Sequence, residues 1–440
     1  MYTMDNTSSK FHRIIKLRQD TPMWHFQSEQ NGCCLRASEV KPKLDRFLAE
    51  KENKEYTSLE YKMYFIVKGK QSDIKDTYKD PKGRERDRFP LFFGNMKNPD
   101  QKHLVYYNNQ CSIEMHLISF HADLLEKIEA SLPEFFAYHS FGTRQDKGFG
   151  FFYPTEKNFK ATGASYCFKT TPSKNNDITE RFEHLFKFIE MFHKMIRSGV
   201  NLPYVYCKSF MYHYAKSLKN NENEAVNWDK PIIRHHFCLK HPTYLQKCGV
   251  KEGKFTVQDE MKVLYQDLKK TKDEQYKGML FMFRDALGLS GIQEWKAYNK
   301  TLAIEGQSVL NKQPISIKRF KSPIIYRPVR QKDGCYIVYI YLNPIPETYR
   351  NAKFTITDKP RKNNPYPTSK PLGDMKIYDH FDLEEYFDFI IDFCNKKKVT
   401  MKGKNIYIQK LFIDNREDKK LNFRKISHKE QESWEQENSI

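Results

Sequence analysis

The stretch Phe141-Gly142-Thr143-Arg144-Gln145-Asp146-Lys147-Gly148-Phe149-Gly150 decides how the fold is interpreted, because it places three glycines within nine residues. Glycine permits backbone conformations and close approaches that a side chain forbids. Arg144 and Lys147 add positive charge, and backbone N–H groups exposed in such a loop can cradle a phosphate. The alternative is a glycine-rich hairpin or bulge. The stretch lacks the motifs of a nucleotide-binding P-loop and of a dinucleotide-binding turn.

The residues before this glycine-rich loop (residues 141–150) alternate between strand and helix patterns. Strands are predicted at residues 11–17, 61–67, 112–120 and 149–153. Helices are predicted after Ser38, which would serve as the N-cap, and over residues 121–132, before Pro133. Residues 71–88 are charged and rich in turn formers, which predicts a mobile loop. This order suits a ferredoxin-like unit, an antiparallel sheet with helices on one face.

The rest of the chain contains one strong helix and a second β-rich part. The apolar stripe of residues 178–197 predicts a helix that ends at Gly199. Residues 201–311 suggest mostly irregular helix. Strands follow at 318–329, 335–342, 354–357 and 405–412, with a helix at 383–394 and flexible, charged segments at 359–376 and 415–440.

The fold class predicted from these patterns is α+β, with two ferredoxin-like (RRM-like) modules and a helical insertion between them. Residues 1–160 would form the first module, 161–311 the mostly helical middle region, and 312–440 the second module with its charged tail.

The charge of the chain indicates an anionic partner. Its 440 residues contain 75 Lys and Arg against 55 Asp and Glu, a formal net charge of +20. Membrane is the weaker candidate, because no apolar run of about 18 residues exists to span a bilayer. Aromatic residues beside cations, as in Tyr326-Arg327, favour RNA, whose bases stack while its phosphates pair. The alternative is that these are ordinary core aromatics in a lysine-rich chain.

The cysteines and the amino terminus predict a cytoplasmic protein. Nine cysteines are present without a Cys-x-x-Cys pair, and Cys33 and Cys34 are adjacent. This unpatterned, odd count suits reduced thiols better than a disulfide framework. Residues 1–10 are polar and lack the apolar region of a signal peptide.

Two further segments combine backbone and charge features that suit an anion. In the first, a loop containing Gly32 leads into a helix start that carries Arg36, Lys41 and Lys43. A helix N-terminus attracts anions, although a capped helix with a solvated basic face would have the same sequence. The second is Arg319-Phe320-Lys321-Ser322-Pro323-Ile324-Ile325-Tyr326-Arg327-Pro328, which is typical of a positively charged edge strand.

Together these segments resemble the RAMP superfamily, the repeat-associated RNA-binding proteins of CRISPR effector complexes. The resemblance rests on Thr21-Pro22 ending the first strand, the Leu35-Arg36-x-Ser38-x-x-Lys41 helix start, the Leu91-Phe92-Phe93-Gly94 stretch and the glycine-rich loop. Within the superfamily the chain is most similar to the first subunit of the type III-B (Cmr) complex, which has a similar Arg-Phe-x-Ser-Pro strand. The resemblance to the superfamily covers residues 11–155 well and residues 315–345 loosely.

The resemblance implies a pair of ferredoxin-like modules that contact RNA through the glycine-rich loop and the helix start, within a larger ribonucleoprotein directed against invading nucleic acid. The first hypothesis is therefore a non-catalytic subunit that holds the guide RNA backbone beside other CRISPR effector subunits, with no membrane partner and no cofactor. Two departures leave a CRISPR-independent relative open: Pro42 stands where the family usually has glycine, and residues 200–311 lack a recognisable counterpart. The candidate RNA-binding residues are Trp24, His25, Arg36, Ser38, Lys41, Lys43, Arg46, Arg144, Lys147, Gly148, Phe149, Gly150, Arg319, Lys321 and Arg327.

Two other functions stay open. The first is a metal-independent endoribonuclease that processes CRISPR RNA. Some RAMP proteins cut RNA with a histidine base or with a metal held by a loop aspartate, and the candidates here are His25, His139 and Asp76. A base must lie within about 3 Å of the proton that it takes, which a sequence does not show, so no catalytic residue is predicted. No metal is predicted either, because His235, His236, Cys238, His241 and Cys248 match no standard zinc spacing. The third function is an interaction scaffold whose charge serves solubility.

Overall fold

The computed structural model describes residues 9–25, 30, 32–90, 103–170, 177–202, 205–218, 229, 233, 236–237, 281–295, 300–359, 370–395 and 423–426. The stretch at 91–94, the strand predicted at 405–412 and most of the segments at 359–376 and 415–440 lie outside these residues. The chain divides into two compact units. The first contains Met1–Glu190, Ile325–Tyr341 and Asp418–Ile440, and the second contains Met191–Ile324 and Leu342–Glu417.

The elements of the first half of the chain are, in order, β1 (His12–Gln19), β2 (Met23–His25), α1 (Ala37–Lys51), β3 (Lys62–Lys68), β4 (Thr77–Lys79), β5 (Glu85–Asp87), β6 (His103–Val105), β7 (Ser112–Ile118), α2 (Ala122–Tyr138), β8 (Phe152–Pro154), β9 (Tyr166–Lys169), α3 (Ile178–Arg197), β10 (Val200–Leu202), β11 (Val205–Cys207) and α4 (Phe210–Ser217).

The elements described in the second half are α5 (Phe283–Ala286), β12 (Leu289–Ser290), β13 (Ile292–Trp295), β14 (Lys300–Leu310), β15 (Gln313–Ile317), β16 (Arg319–Phe320), β17 (Ile324–Arg330), β18 (Tyr336–Leu342), α6 (Glu347–Arg350), β19 (Lys353–Asp358), β20 (Leu372–Met375), α7 (Leu383–Asn395) and β21 (Arg424–Lys425). The molecule is therefore a mixed α/β protein with several antiparallel sheets. No helix among the described residues is long and apolar enough to cross a lipid bilayer.

The main sheet of the first unit has the order β3-β7-β1-β8, and its neighbouring strands are antiparallel. Alternate side chains of its strands, such as Leu17, Met63 and Met115, are buried in the core. The apolar faces of α1 and α2, including Leu44 and Leu125, belong to the same core, so both helices cover one face of the sheet. The strands predicted at residues 11–17, 61–67 and 112–120 are confirmed.

Three local predictions in the first unit are wrong. Helix α2 does not end before Pro133 but continues through it to Tyr138, because Phe135 and Phe136 are fully buried and their burial offsets the proline's cost of about 3 kcal/mol. Ser38 is not an N-cap, since α1 begins at Ala37 with Arg36 before it and no side-chain cap. Residues 71–88 contain a hairpin of β4 and β5, whose turn is ordered by the carboxylate of Asp80.

The helix predicted over residues 178–197 is confirmed as α3, and Gly199 follows it with a φ of +84° and a hydrogen bond from its N–H to Lys194 O. Within residues 201–311, however, the described part contains strands as well as helices. In the second unit, β14 is eleven residues long and lies between β13 and β19. The alternation of buried and more exposed residues along β14 was not recognised in the sequence, because Gly306 occupies an inward position. The ring of Phe354 fills the space that a side chain would take there.

The strands β17 and β18 form the predicted hairpin, and Gly334 in its turn has a φ of +79°. The sheet order is β17-β18-β9-β21, so the hairpin pairs with a strand from the first half of the chain. A salt bridge of 2.7 Å between Lys169 Nζ and Asp333 Oδ2 lies beside this pairing. The division of the sequence at residues 160 and 311 did not anticipate that arrangement.

Candidate nucleic-acid interface

The glycine-rich loop closes on itself through backbone hydrogen bonds. The N–H of Phe141 donates to Gly150 O at 2.9 Å, and the N–H of Lys147 donates to Arg144 O at 2.8 Å. The N–H of Gly150 reaches Pro22 O at 2.8 Å, which ties the loop to the segment before β2. The loop is thus held in one conformation by the chain's own polar groups.

The three glycines are required by close packing inside the protein. Each has a positive φ: +78° at Gly142, +91° at Gly148 and +67° at Gly150. A Cβ would lie 2.6 Å from Trp24 O at Gly142, 2.9 Å from the Pro328 ring at Gly148 and 1.9 Å from Phe141 O at Gly150. The space at each glycine is therefore filled by other atoms of the chain. This agrees with the alternative prediction of a glycine-rich hairpin or bulge, in which the glycines serve packing within the protein.

The loop and the start of α1 lie against each other. Lys43 Nζ donates to Gln145 Oε1 at 2.9 Å and to Ser140 O at 3.4 Å, and its ammonium lies 4.8 Å from the centre of the Phe141 ring. Glu39 Oε1 accepts from Lys43 Nζ and from the N–H of Gly142, both at 3.2 Å. Two segments that are about 100 residues apart in the sequence are thus neighbours in the fold.

The cations of the helix start differ in what they contact. Arg36, Arg46 and the hydroxyl-bearing Ser38 are exposed, and the guanidinium of Arg46 lies 5.5 Å from the centre of the Tyr56 ring. Lys41 Nζ instead donates to Asp45 Oδ2 at 2.6 Å, to Leu59 O at 2.9 Å and to Ser58 Oγ at 3.1 Å. A phosphate at Lys41 would have to replace one of these acceptors.

The cations of the loop lie over aromatic rings. The guanidinium of Arg144 is 4.6 Å from the centre of the buried Trp24 ring, and burial lowers the pKa of Arg144 to about 10, so the group stays charged at neutral pH. The ammonium of the buried Lys147 is 5.4 Å from the Tyr326 ring. Both cations stabilise the loop through these contacts.

Two other predicted residues lie in the interior. The ring of Phe149 stacks on Phe186 with centroids 3.6 Å apart, so its face is already covered. Arg327 is 1% exposed and donates to Gln145 O at 3.0 Å and to Tyr138 O. Burial lowers its pKa to about 10. Arg327 therefore fixes the loop to the end of α2, whereas Arg319 and Lys321 in the second unit are exposed.

Two family models match the chain in succession. A model of the Cmr1 N-terminal domain matches residues 10–200, and a model of the Cmr1 C-terminal domain matches residues 206–420. The chain belongs to the Cmr1 family. Its two Cmr1 domains indicate a subunit of a type III-B (Cmr) CRISPR complex. Neither the curated proteins nor the solved structures contain a match.

The family assignment confirms the resemblance to the RAMP superfamily and to the first Cmr subunit. It also corrects one expectation, because residues 206–311, for which no counterpart was recognised, lie inside the Cmr1 C-terminal domain. The alternative of a CRISPR-independent relative therefore loses one of its two supports, and the other, Pro42 in place of glycine, remains.

The candidate catalytic residues of this Cmr1-family chain lie on different elements, and His25 is buried whereas His139 and Asp76 are half-buried. His25, at the end of β2, is 4% exposed, with its Nδ1 2.9 Å from Cys33 Sγ, and burial lowers its pKa. His139 follows α2, donates from Nδ1 to Phe135 O at 3.0 Å and has a pKa lowered by burial to about 4. Asp76 precedes β4.

A metal centre is not found within the described ranges, where no three His, Cys, Asp or Glu side chains gather at one point. Of the predicted ligands, His235, Cys238, His241 and Cys248 lie outside those ranges, and His236 Nε2 contacts Lys370 O at 2.7 Å.

Sequence reasoning missed the residues that organise the site, Glu39 and Gln145. The spacing of Glu39 and Lys43 is that of a helical ion pair, which is a detectable signal. No sequence signal marked Gln145, whose partner is distant in the chain.

Proposed function

We propose that this Cmr1-family subunit binds RNA on the surface formed by the helix start (residues 36–46) and the glycine-rich loop. The ligand would be the guide RNA backbone, held beside the other subunits of the Cmr complex in antiviral defence, with the cytoplasm as the site of action. RNA is the polyanion that best suits the net charge of +20 together with the CRISPR family assignment.

The observation that carries the proposal is the contact between two segments that each suited an anion on sequence grounds. The hydrogen bonds from Lys43 to Gln145 and from Gly142 to Glu39 hold the loop against the first turns of α1. The exposed Arg36 precedes the first residue of α1, and the exposed Arg46 lies on the same helix one turn beyond Lys43. A helix N-terminus beside exposed arginines favours phosphate oxygens.

The proposal gives the fifteen candidate residues different roles. Arg36, Ser38 and Arg46 contact phosphate, and Arg319 and Lys321 are exposed contact candidates in the second unit. The remaining residues position the loop and the helix, and these are Trp24, His25, Lys41, Lys43, Arg144, Lys147, Gly148, Phe149, Gly150 and Arg327.

We further propose that the first unit is a ferredoxin-like module. In chain order its main strands and helices are β1, α1, β3, β7, α2 and β8, and the sheet order is β3-β7-β1-β8. This βαββαβ order with β1 and β7 in the centre is the arrangement of that fold. A corresponding module in the second half of the chain stays a prediction.

The test is the salt dependence of RNA binding, measured by fluorescence anisotropy with a labelled single-stranded CRISPR-repeat RNA. Loss of two phosphate contacts in Arg36→Ala/Arg46→Ala should weaken binding and reduce the slope of log affinity against log salt by about 1.4. The matched control is Lys332→Ala/Lys353→Ala, which removes two exposed cations elsewhere. Equal effects of the two double variants, or no RNA binding in low salt, would contradict the proposal.

The same samples test the endoribonuclease alternative. After incubation without metal, the RNA is run on a denaturing gel, and an intact RNA supports a binding subunit. Cleavage that disappears in His25→Ala or His139→Ala would favour the alternative.

A further inference from the structure

The face of the main sheet opposite α1 and α2 carries a row of three stacked rings. Tyr64 on β3, His116 on β7 and His12 on β1 alternate with the residues that enter the core. The rings of Tyr64 and His116 have centroids 4.5 Å apart and planes 11° apart, and those of His116 and His12 are 5.2 Å and 29° apart. We call these residues the ring row.

The ring row is fixed at its centre and exposed at its end. His116 is 1% exposed between the two other rings, and its Nδ1 lies 3.0 Å from His12 Nε2. Tyr64 is 40% exposed on the edge strand β3, and no second ring of the described residues stacks on it. The two histidines therefore hold one face of the tyrosine while the other is accessible.

Lysines surround the ring row on the same face. Lys62 precedes Tyr64 by two residues on β3, and Lys16 lies two residues beyond Ile14, the direct partner of His116; both lysines are exposed. The one carboxylate of this face on the three strands, Glu114, accepts two hydrogen bonds from Lys68 Nζ, at 2.9 and 3.1 Å. The face is therefore positively charged around a flat aromatic surface.

This combination selects among possible occupants. The aliphatic side chains of Ile14, Ile66 and Ile118 also lie on this face. The centre of a protein–protein interface is, however, depleted of lysine, whereas Lys16, Lys62 and Lys68 stand on this face. Single-stranded nucleic acid requires flat rings for its bases and separate cations for its phosphates, which the ring row and Lys16 and Lys62 supply. The spacing along one strand also suits successive nucleotides, because Lys62 and Tyr64 project from the same face about 7 Å apart.

We propose that this sheet face is a second RNA-binding surface, on which an unpaired base stacks on the outer face of Tyr64 and the adjoining phosphates contact Lys62 and Lys16. It rests on the proposed function only in that the ligand is RNA, because it shares no residue with the helix start or the glycine-rich loop. His116 and His12 are positioning residues for the tyrosine ring.

The experiment measures binding of the full chain to a labelled single-stranded oligouridine by fluorescence anisotropy over a salt series. Tyr64→Ala should weaken binding about 10-fold and leave the salt slope unchanged, because stacking is lost and no phosphate contact is. Tyr64→Phe should bind like the unaltered chain. The matched control is Tyr78→Ala, since Tyr78 is a strand tyrosine with 44% exposure outside this face.

A second variant and a crosslink keep the outcomes separate. Lys16→Ala/Lys62→Ala should reduce the salt slope by about 1.4, and 4-thiouridine RNA should crosslink to the peptide containing Tyr64.

If Tyr64→Ala binds as Tyr78→Ala does while Arg36→Ala/Arg46→Ala loses affinity, the second surface is wrong and the proposed function stands. If no variant differs and the unaltered chain does not bind RNA, both fail. A Tyr64→Ala protein that keeps RNA affinity but fails to assemble with the other Cmr subunits would assign the face to a protein partner.

Discussion

Lys43 Nζ donates a hydrogen bond to Gln145 Oε1 at 2.9 Å, across 102 residues of sequence. The same ammonium contacts Glu39 Oε1 at 3.2 Å, and that oxygen also accepts from the N–H of Gly142 at the beginning of the glycine-rich loop. One lysine and one glutamate therefore set the distance between the helix start and the loop. A cation in this position stabilises the arrangement of the surface and need not contact the ligand.

Replacing Lys43 with methionine should loosen the loop from α1. The apolar stem is kept, but the hydrogen bonds to Gln145 and Ser140 are lost, which should lower the free energy of unfolding by about 1 kcal/mol. Urea denaturation measures this change, and anisotropy should show weaker RNA binding. The control is Lys51→Met, which removes a surface pair with Glu134 and a cation–π contact 6.0 Å from the centre of the Phe47 ring, but no contact to the loop. Equal stability of the two variants would show that the contact to the loop contributes little.

Replacing Gly150 with alanine should destabilise the first unit far more than the same change at Gly83. Both glycines have a positive φ, +67° and +74°. A Cβ at Gly150 would lie 1.9 Å from Phe141 O, whereas at Gly83 no atom lies within 4 Å. Gly83→Ala should therefore cost only the backbone strain of about 1 kcal/mol, and Gly150→Ala at least about 3 kcal/mol. Similar melting temperatures for both variants would contradict the packing described for the loop.

The sequence predicted those elements whose local pattern and tertiary environment agree. Helix α3 matched its prediction residue for residue, since a continuous apolar stripe and Gly199 mark both its face and its end. Pro133 was misleading because the burial of Phe135, a tertiary effect, outweighs a local signal. The strand β14 was missed because the local pattern lacks an apolar side chain at the inward position Gly306. The ring of Phe354, on another strand, fills that space in the fold.

The candidate site was predictable in its segments but not in the roles of its residues. Clusters of glycine and basic residues identified the loop and the helix start. Whether a given arginine is exposed depends on what packs over it, so Arg36 and Arg327 were assigned the same role although one is exposed and the other 1% exposed. The contact between Lys43 and Gln145 is similarly a product of the fold, with no counterpart in sequence spacing.

Replacing Arg327 with lysine should lower stability, because a lysine keeps the charge but cannot make the forked contacts to Gln145 O and Tyr138 O. A loss of about 3 kcal/mol is expected, since buried carbonyls lose their donors. Chemical denaturation tests this, with Arg86→Lys on the exposed strand β5 as the control. If Arg327 bound a phosphate directly, stability would stay unchanged and the salt slope of RNA binding would fall instead.

Mild acid should destabilise the first unit through His139. This histidine stacks on Phe135 with ring centroids 4.7 Å apart, and burial lowers its pKa from 6.5 to about 4. Between these two values the unfolded chain binds a proton that the folded chain does not, so stability falls as the pH falls from about 6.5 to 4. A shift of this size corresponds to a loss on the order of 3 kcal/mol at pH 4.

His139→Asn can keep the hydrogen bond to Phe135 O without titrating, so its unfolding free energy should depend less steeply on pH. The control is His121→Asn, because the His121 side chain is 60% exposed and lies on the surface beside the exposed Glu60. Urea denaturation at several pH values measures the three proteins, and a His139→Asn slope equal to that of the unaltered chain would show that the buried ring does not govern the acid response.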